Sequence, residues 1–144
     1  MNWPKARKEC TYTVKASHHL SGVSKHPDAA QIHKHEWRIT LIFNHWEFSP
    51  WHGFTRDEKE IDDSFGERVM QLEGKVLNDL MPVPPTAENF AIWLIAEWIQ
   101  NLSPNKITFE LDAVRISKCQ RHVTEATKEQ AIKWKAAIET GRKA

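Results

Sequence analysis

His33-Lys34-His35-Glu36-Trp37 is the stretch whose reading decides the fold, taken together with Ala16-Ser17-His18-His19-Leu20 upstream of it. On a β-strand, residues two apart point to the same face. His33 and His35 therefore share a face with Trp37, Ile39, Leu41 and Phe43. The run Tyr12, Val14, Ala16, His18 forms a second face by the same alternation. With both apolar faces turned inward, three imidazoles gather at one end of one sheet face. Three neutral His ligands with a fourth position open to water or substrate is the arrangement of catalytic zinc. An isolated HxH pair reads equally well as surface decoration. The agreement of phase between two strands makes His18, His33 and His35 a candidate Zn2+ site.

The chain has 144 residues, enough to bury a real core, and a single domain over 1–144 is expected. Twenty Lys and Arg against nineteen Asp and Glu give a net charge of +1, which leaves no electrostatic footprint for nucleic acid or a membrane surface. The basic start, Met1 to Lys8, is not followed by an apolar run, so no signal peptide is expected. No apolar stretch is long enough to span a bilayer. Two Cys, Cys10 and Cys119, make no disulfide framework, and a reducing cytoplasm is the expected location.

Outward from the His-rich core, alternation predicts strands over 10–20 and 32–44, with a polar loop between them. Trp46, Phe48, Pro50 and Trp51 suggest a hairpin connection and a short edge strand, since Pro50 is incompatible with a central one. Ile61, Phe65, Val69, Leu72 and Val76 recur at helical spacing. Within that stripe Gly66 suggests a packing contact and Gly74 an end. Thr86 is a natural N-cap for a helix over 87–102. A strand over 106–118 changes phase near Asp112-Ala113, which predicts a bulge. Thr127 with Gln130 reads as a capping box for a tail helix striped by Ala131, Trp134 and Ile138 and closed by Gly141. Strands and segregated helices in this order make an α+β fold, helices on one face of an antiparallel sheet.

These motifs in this order resemble the 6-pyruvoyl-tetrahydropterin synthase and 6-carboxytetrahydropterin synthase family. Tyr12 to Leu20 looks like its F-x-x-A-A-H-x-L strand, and His33 to Trp37 like its H-G-H-x-[YF]. Gly53 to Asp57 looks like its G-W-I-I-D, Leu77-Asn78-Asp79 like its L-N-D, and Pro85-Thr86-Ala87-Glu88-Asn89 like its P-T-x-E-N. The likeness covers roughly 10–122 and leaves 124–144 as a C-terminal helical extension. It implies the tunnelling fold, in which sheets of a trimer or hexamer join into a barrel with sites between subunits. It also implies a homo-oligomer acting on a small molecule, and zinc on His18, His33 and His35.

The departures from the family bear on its chemistry. Pro27 to Ile32, where the family carries its catalytic Cys, holds none; Asp28 is its only acid. The family's Asp-His pair falls on Glu73-Gly74, and its late pterin-anchoring Glu falls on Lys118. A Glu accepts two hydrogen bonds from a guanidine-like edge, whereas a Lys only donates. Such a swap rejects pterin instead of merely loosening it, and a buried cation there recruits an anion. The expectation is a zinc-dependent lyase or cyclase acting on a small, anionic, non-pterin carbonyl compound, for example by amine–aldehyde ring closure. Glu73 and Lys118 are its candidate catalytic residues, and Lys118, Trp51 and Glu88 its substrate contacts. A pterin synthase with a divergent site and a non-catalytic metal-containing binding module are the alternatives.

Overall fold

The computed structural model describes residues 6–21, 30–45, 51, 56–100, 109–119 and 121–143. Its centre is a four-stranded antiparallel sheet in the order β1 (Arg7–His18), β2 (His33–His45), β3 (Phe109–Cys119), β4 (His122–Thr127). The β1–β2 register sets Val14 opposite Trp37, Ala16 opposite His35 and His18 opposite His33. The even face of β1 and the odd face of β2 are thus one face. Val14, Ala16, Trp37, Ile39, Leu41 and Phe43 on it are fully buried.

Helices cover that face. The first is α1 (Arg56–Ile61), a π-helical turn (Asp62–Gly66) and α2 (Glu67–Met70); the second is α3 (Ala87–Trp93) followed by a π-helical turn (Leu94–Trp98). Ile61, Phe65 and Val69 enter the core from the first, and Phe90, Trp93, Leu94 and Ile95 from the second. The predicted stripe ends earlier than its spacing suggests. Leu72 is buried from a turn, and Val76 is extended and bridges Ser17 in parallel. Gly74 causes the break with φ of +78°, a conformation that strains residues with a Cβ. Gly66 is the close contact, because a Cβ there would lie 2.7 Å from the Tyr12 ring.

The bulge is where the phase change placed it. Ile42 pairs with Ala113 and Phe43 with Leu111, leaving Asp112 as the extra residue. Strand β4 was not foreseen; only Ala126 of it is buried, so its apolar alternation is faint. Helix α4 (Lys128–Lys143) starts on the expected capping box: the Thr127 amide donates to Gln130 Oε1 at 2.9 Å, and the Gln130 amide to Thr127 Oγ1 at 3.3 Å. It runs through Gly141 and does not stop there. Ala131 is buried and Trp134 packs on the core. The hairpin and edge strand expected around 45–53 lie outside the described residues apart from His45 and Trp51. The helix expected to run to Leu102 ends at Trp98, because Ile99 has already left helical geometry at φ -116° and ψ 7°.

Candidate metal and ligand site at the end of β1 and β2

His18 ends β1 and is buried, with 2% of its surface exposed. Its Nδ1 donates to the Pro85 carbonyl at 2.8 Å. That bond fixes the tautomer and leaves the Nε2 lone pair for an electrophile, which is how a metal-binding His is ordinarily oriented. His35 meets it edge-on with ring centroids 4.9 Å apart, and His33 stacks on His35 at 6.1 Å. Trp37 floors the cluster, 5.4 Å from His18 and 5.6 Å from His35, and itself packs on Phe90. Its Nε1 donates to the Ala16 carbonyl, so the floor is anchored to β1. Among the described residues, no three His, Cys, Asp or Glu side chains stand arranged as a ready metal group.

Burial pushes the His18 imidazole below its ordinary value, against the raising effect of its bond to Pro85. Burial and then the charge of Lys118 bring His35 from 6.5 to about 4. Both rings are therefore neutral near neutral pH, the form that binds metals.

Lys118 lies one residue beyond Ser117, which pairs with Arg38. Alternation puts it on the inward face beside Trp37, and its Nζ stands 5.8 Å from the centre of that ring. It is exposed, not the buried cation that the sequence suggests, so its pull on an anion comes from proximity and not from desolvation. Among the described residues no carboxylate pairs with it. With Cys119, it also lines a cleft of about 210 Å³ formed with Thr13, Glu36, Arg38 and Ser117.

Glu73 is held elsewhere. Its Oε2 accepts the Lys15 amide at 2.7 Å, and the Gly74 amide donates to the Lys15 carbonyl. It seals the outer edge of β1 three residues short of His18. Glu88 lies exposed in the first turn of α3, and Trp51 is 86% exposed. Asp28 lies outside the described residues. His19 turns to Ser21, and Asn78 clamps its backbone from both sides. Cys119 is exposed, and hydrogen bonds from the Arg121 and His122 backbone push its thiol below the ordinary value.

One support of the cluster was missed in the sequence, because a main-chain carbonyl such as that of Pro85 leaves no residue-type signal. Trp37 was legible from its place two residues beyond His35 on the same face, and it is fully buried.

The family described as 6-pyruvoyl tetrahydropterin synthase matches residues 9–129. The structure of 6-pyruvoyl tetrahydropterin synthase from Caenorhabditis elegans is similar, with a TM-score of 0.69 and 17% identity over 88% of this chain and 98% of that one. An uncharacterized protein, WS1659, from Wolinella succinogenes aligns with a TM-score of 0.53 and 10% identity over 86% and 98%. None of the curated proteins matches the chain. At these identities the structural likeness speaks for the fold: the tunnelling-fold sheet with its helices on one face, to which this chain adds α4.

Proposed function

The chain belongs to the 6-pyruvoyl tetrahydropterin synthase family, and we propose that it is a zinc-dependent lyase or cyclase whose substrate is a small anionic carbonyl compound other than a pterin. The observation that carries this reading is the pairing of an imidazole cluster, in which His18 is oriented by Pro85 and His18 and His35 are kept neutral, with a cation, Lys118, on the same face.

The donor chemistry fits the metal. His18 offers Nε2 because its Nδ1–H is spent on Pro85, and His18 and His35 are kept uncharged. His18, His33 and His35 would hold the ion. A bound zinc ion supplies Lewis-acid polarisation of a carbonyl. Trp37 and Phe90 give the cluster an apolar floor that keeps water away from its inner side. Lys118 attracts and orients the anionic group of the substrate. Glu73, committed to the Lys15 amide, orders the β1 edge in this reading, and the proton carrier is not assigned to it. Glu88 and Trp51 are proposed to meet the substrate from the rim. As in the family resemblance, the protein is proposed to be a homo-oligomer with sites between subunits. Among the described residues, strand β4 ends the sheet with an unpaired edge, which such assembly protects. Among the described residues, no helix is long and apolar enough to cross a membrane.

The test is a pair of calorimetric titrations of the zinc-loaded protein, one with an unphosphorylated pterin and one with pyruvate, a small anionic carbonyl compound. Wild type is expected to bind pyruvate and not the pterin. Lys118→Glu is expected to reverse the preference by about tenfold in each direction, the value of one polar contact matched or mismatched. Equal pterin binding by wild type and Lys118→Glu overturns the substrate assignment and favours a pterin enzyme with a divergent site. Binding of pyruvate without turnover of any carbonyl substrate favours a binding module.

A further inference from the structure

Helix α4 begins where the family match ends, at residues 128–129, yet hydrogen bonds on either side of the Pro84–Pro85 peptide join it to the His18 ring. Trp134 Nε1 donates to Asn89 Oδ1 at 3.1 Å. Asn89 Nδ2 donates to the Pro84 carbonyl at 2.9 Å, and the Asn89 amide to Thr86 Oγ1 at 3.2 Å. The next carbonyl, that of Pro85, accepts His18 Nδ1 at 2.8 Å. Asn89 is thus the junction: its side chain ties the Pro84–Pro85 turn to α3, and Trp134 fixes the side-chain amide in the flip that lets it do so. The Trp134 ring packs on the core, and Ala131 one turn earlier is buried, so α4 is docked firmly enough to act as a strut. Lys135 adds a contact to Gln100 at 3.1 Å.

The geometry points to Trp134 as a positioning residue: through Asn89 and the Pro84–Pro85 turn, the C-terminal helix sets the orientation of the His18 imidazole. A ligand ring held by a carbonyl is only as well aimed as the carbonyl, and partners behind metal ligands tune affinity in this way. The inference rests on the metal reading above for its consequence, but not for its geometry.

Trp134→Phe keeps the ring and removes the donor. Two readouts apply to the full-length protein. In the metal-free protein, the His18 Nδ1–H resonance, identified by its loss in His18→Ala, reports the bond to Pro85 directly. In Trp134→Phe this resonance is expected to broaden and exchange faster with solvent. Zinc affinity, measured by competition with a chelating dye, is expected to weaken about fivefold, the worth of one neutral hydrogen bond. Asn89→Asp, which keeps the acceptor for Trp134 but loses the donor to Pro84, is expected to do the same. The Trp134→Phe/Asn89→Asp double variant is expected to show no further loss, since both cut one line. Lys133→Ala on the exposed side of α4 is the control and is expected to leave both readouts unchanged. An unaltered His18 resonance in both Trp134→Phe and Asn89→Asp overturns the inference, as does full additivity in the double variant. Wild type that binds no zinc while the resonance still responds overturns the metal reading and leaves the strut standing.

Discussion

The inward-facing stretch of β1 from Tyr12, at mid-strand, to His18, at the strand's last residue, carries a polar ring at each of its two ends, with opposite fates. At one end Tyr12 donates its hydroxyl to Asp62 at 2.5 Å and lies over Gly66. Burial first, and then the bond to Asp62, push its ionisation well above the ordinary value. At the other end His18 spends one nitrogen on Pro85, and among the described residues no partner takes the second. The same strand therefore closes a polar group at Tyr12 and keeps one available at His18. A side chain whose hydrogen-bonding capacity is used up serves packing; one with capacity left over is available to a ligand.

The sharpest break of this comparison is at the open end. His33→Ala is expected to remove most of the metal from purified protein, from about one zinc per chain to a small fraction, because two imidazoles form an incomplete set. Elemental analysis checks it, and unchanged metal content sinks the assignment of the three His. Tyr12→Phe is the matched control at the closed end, with metal content expected to stay at the wild-type level.

At the closed end the largest effect is expected from Gly66→Ala. The new methyl would sit 2.7 Å from the Tyr12 ring, so the ring must shift and strain its bond to Asp62. Overpacking of this kind costs about 1–3 kcal/mol, against a gain of about 1 kcal/mol in helix propensity. The expected net loss is about 0–2 kcal/mol in chemical denaturation. In a Tyr12→Ala background the clash is gone, and Gly66→Ala is expected to become neutral or stabilising. A loss of the same size in both backgrounds would show that Gly66 serves something other than Tyr12.

The comparison also explains how far the sequence was legible. Strand phase placed His18, His33 and His35 on one face, because side-chain alternation is set by the backbone and survives any packing detail. The bulge at Asp112, the end at Gly74 and the capping box of α4 were legible for the same reason: each is a local backbone event with its own residue signature. Position along the sheet did not convey burial, so Lys118 is exposed where a buried cation was expected. Nor did a motif position convey what a carboxylate touches, and Glu73 seals an edge. Strand β4 was missed because it is an edge strand with one fully buried side chain and therefore little alternation to read.

A smaller effect separates the two ends by pH. In the metal-free protein His35 is held at about 4 against an ordinary 6.5, by burial first and by Lys118 next. The folded state therefore resists a proton that the unfolded chain accepts. The stability tied to this neutral ring is fully present above about pH 6.5 and is lost as pH falls toward 4. Thermal melts between pH 7 and 5 in chelator are expected to show a falling Tm, and His35→Gln to flatten that fall. An equally steep fall in His35→Gln would place the titrating group elsewhere. Tyr12, with its ionisation pushed upward, contributes nothing in this window.

The smallest effect is expected from Tyr12→Phe, which deletes one hydroxyl and leaves the ring over Gly66. Asp62 is exposed, so water takes the place of the lost donor and no charge is stranded. The cost is therefore that of a hydrogen bond near solvent, about 0.5–1 kcal/mol, and not that of an unpaired buried group. Asp62→Asn is expected to cost no more, since an amide oxygen still accepts from the phenol. Both variants are expected to keep wild-type zinc content and pyruvate binding, because the Tyr12 hydroxyl is already spent. If Tyr12→Phe leaves stability intact but weakens ligand binding severalfold, the hydroxyl is not closed off by Asp62, and the division of β1 into a packing end and a chemical end fails at the residue on which it was drawn.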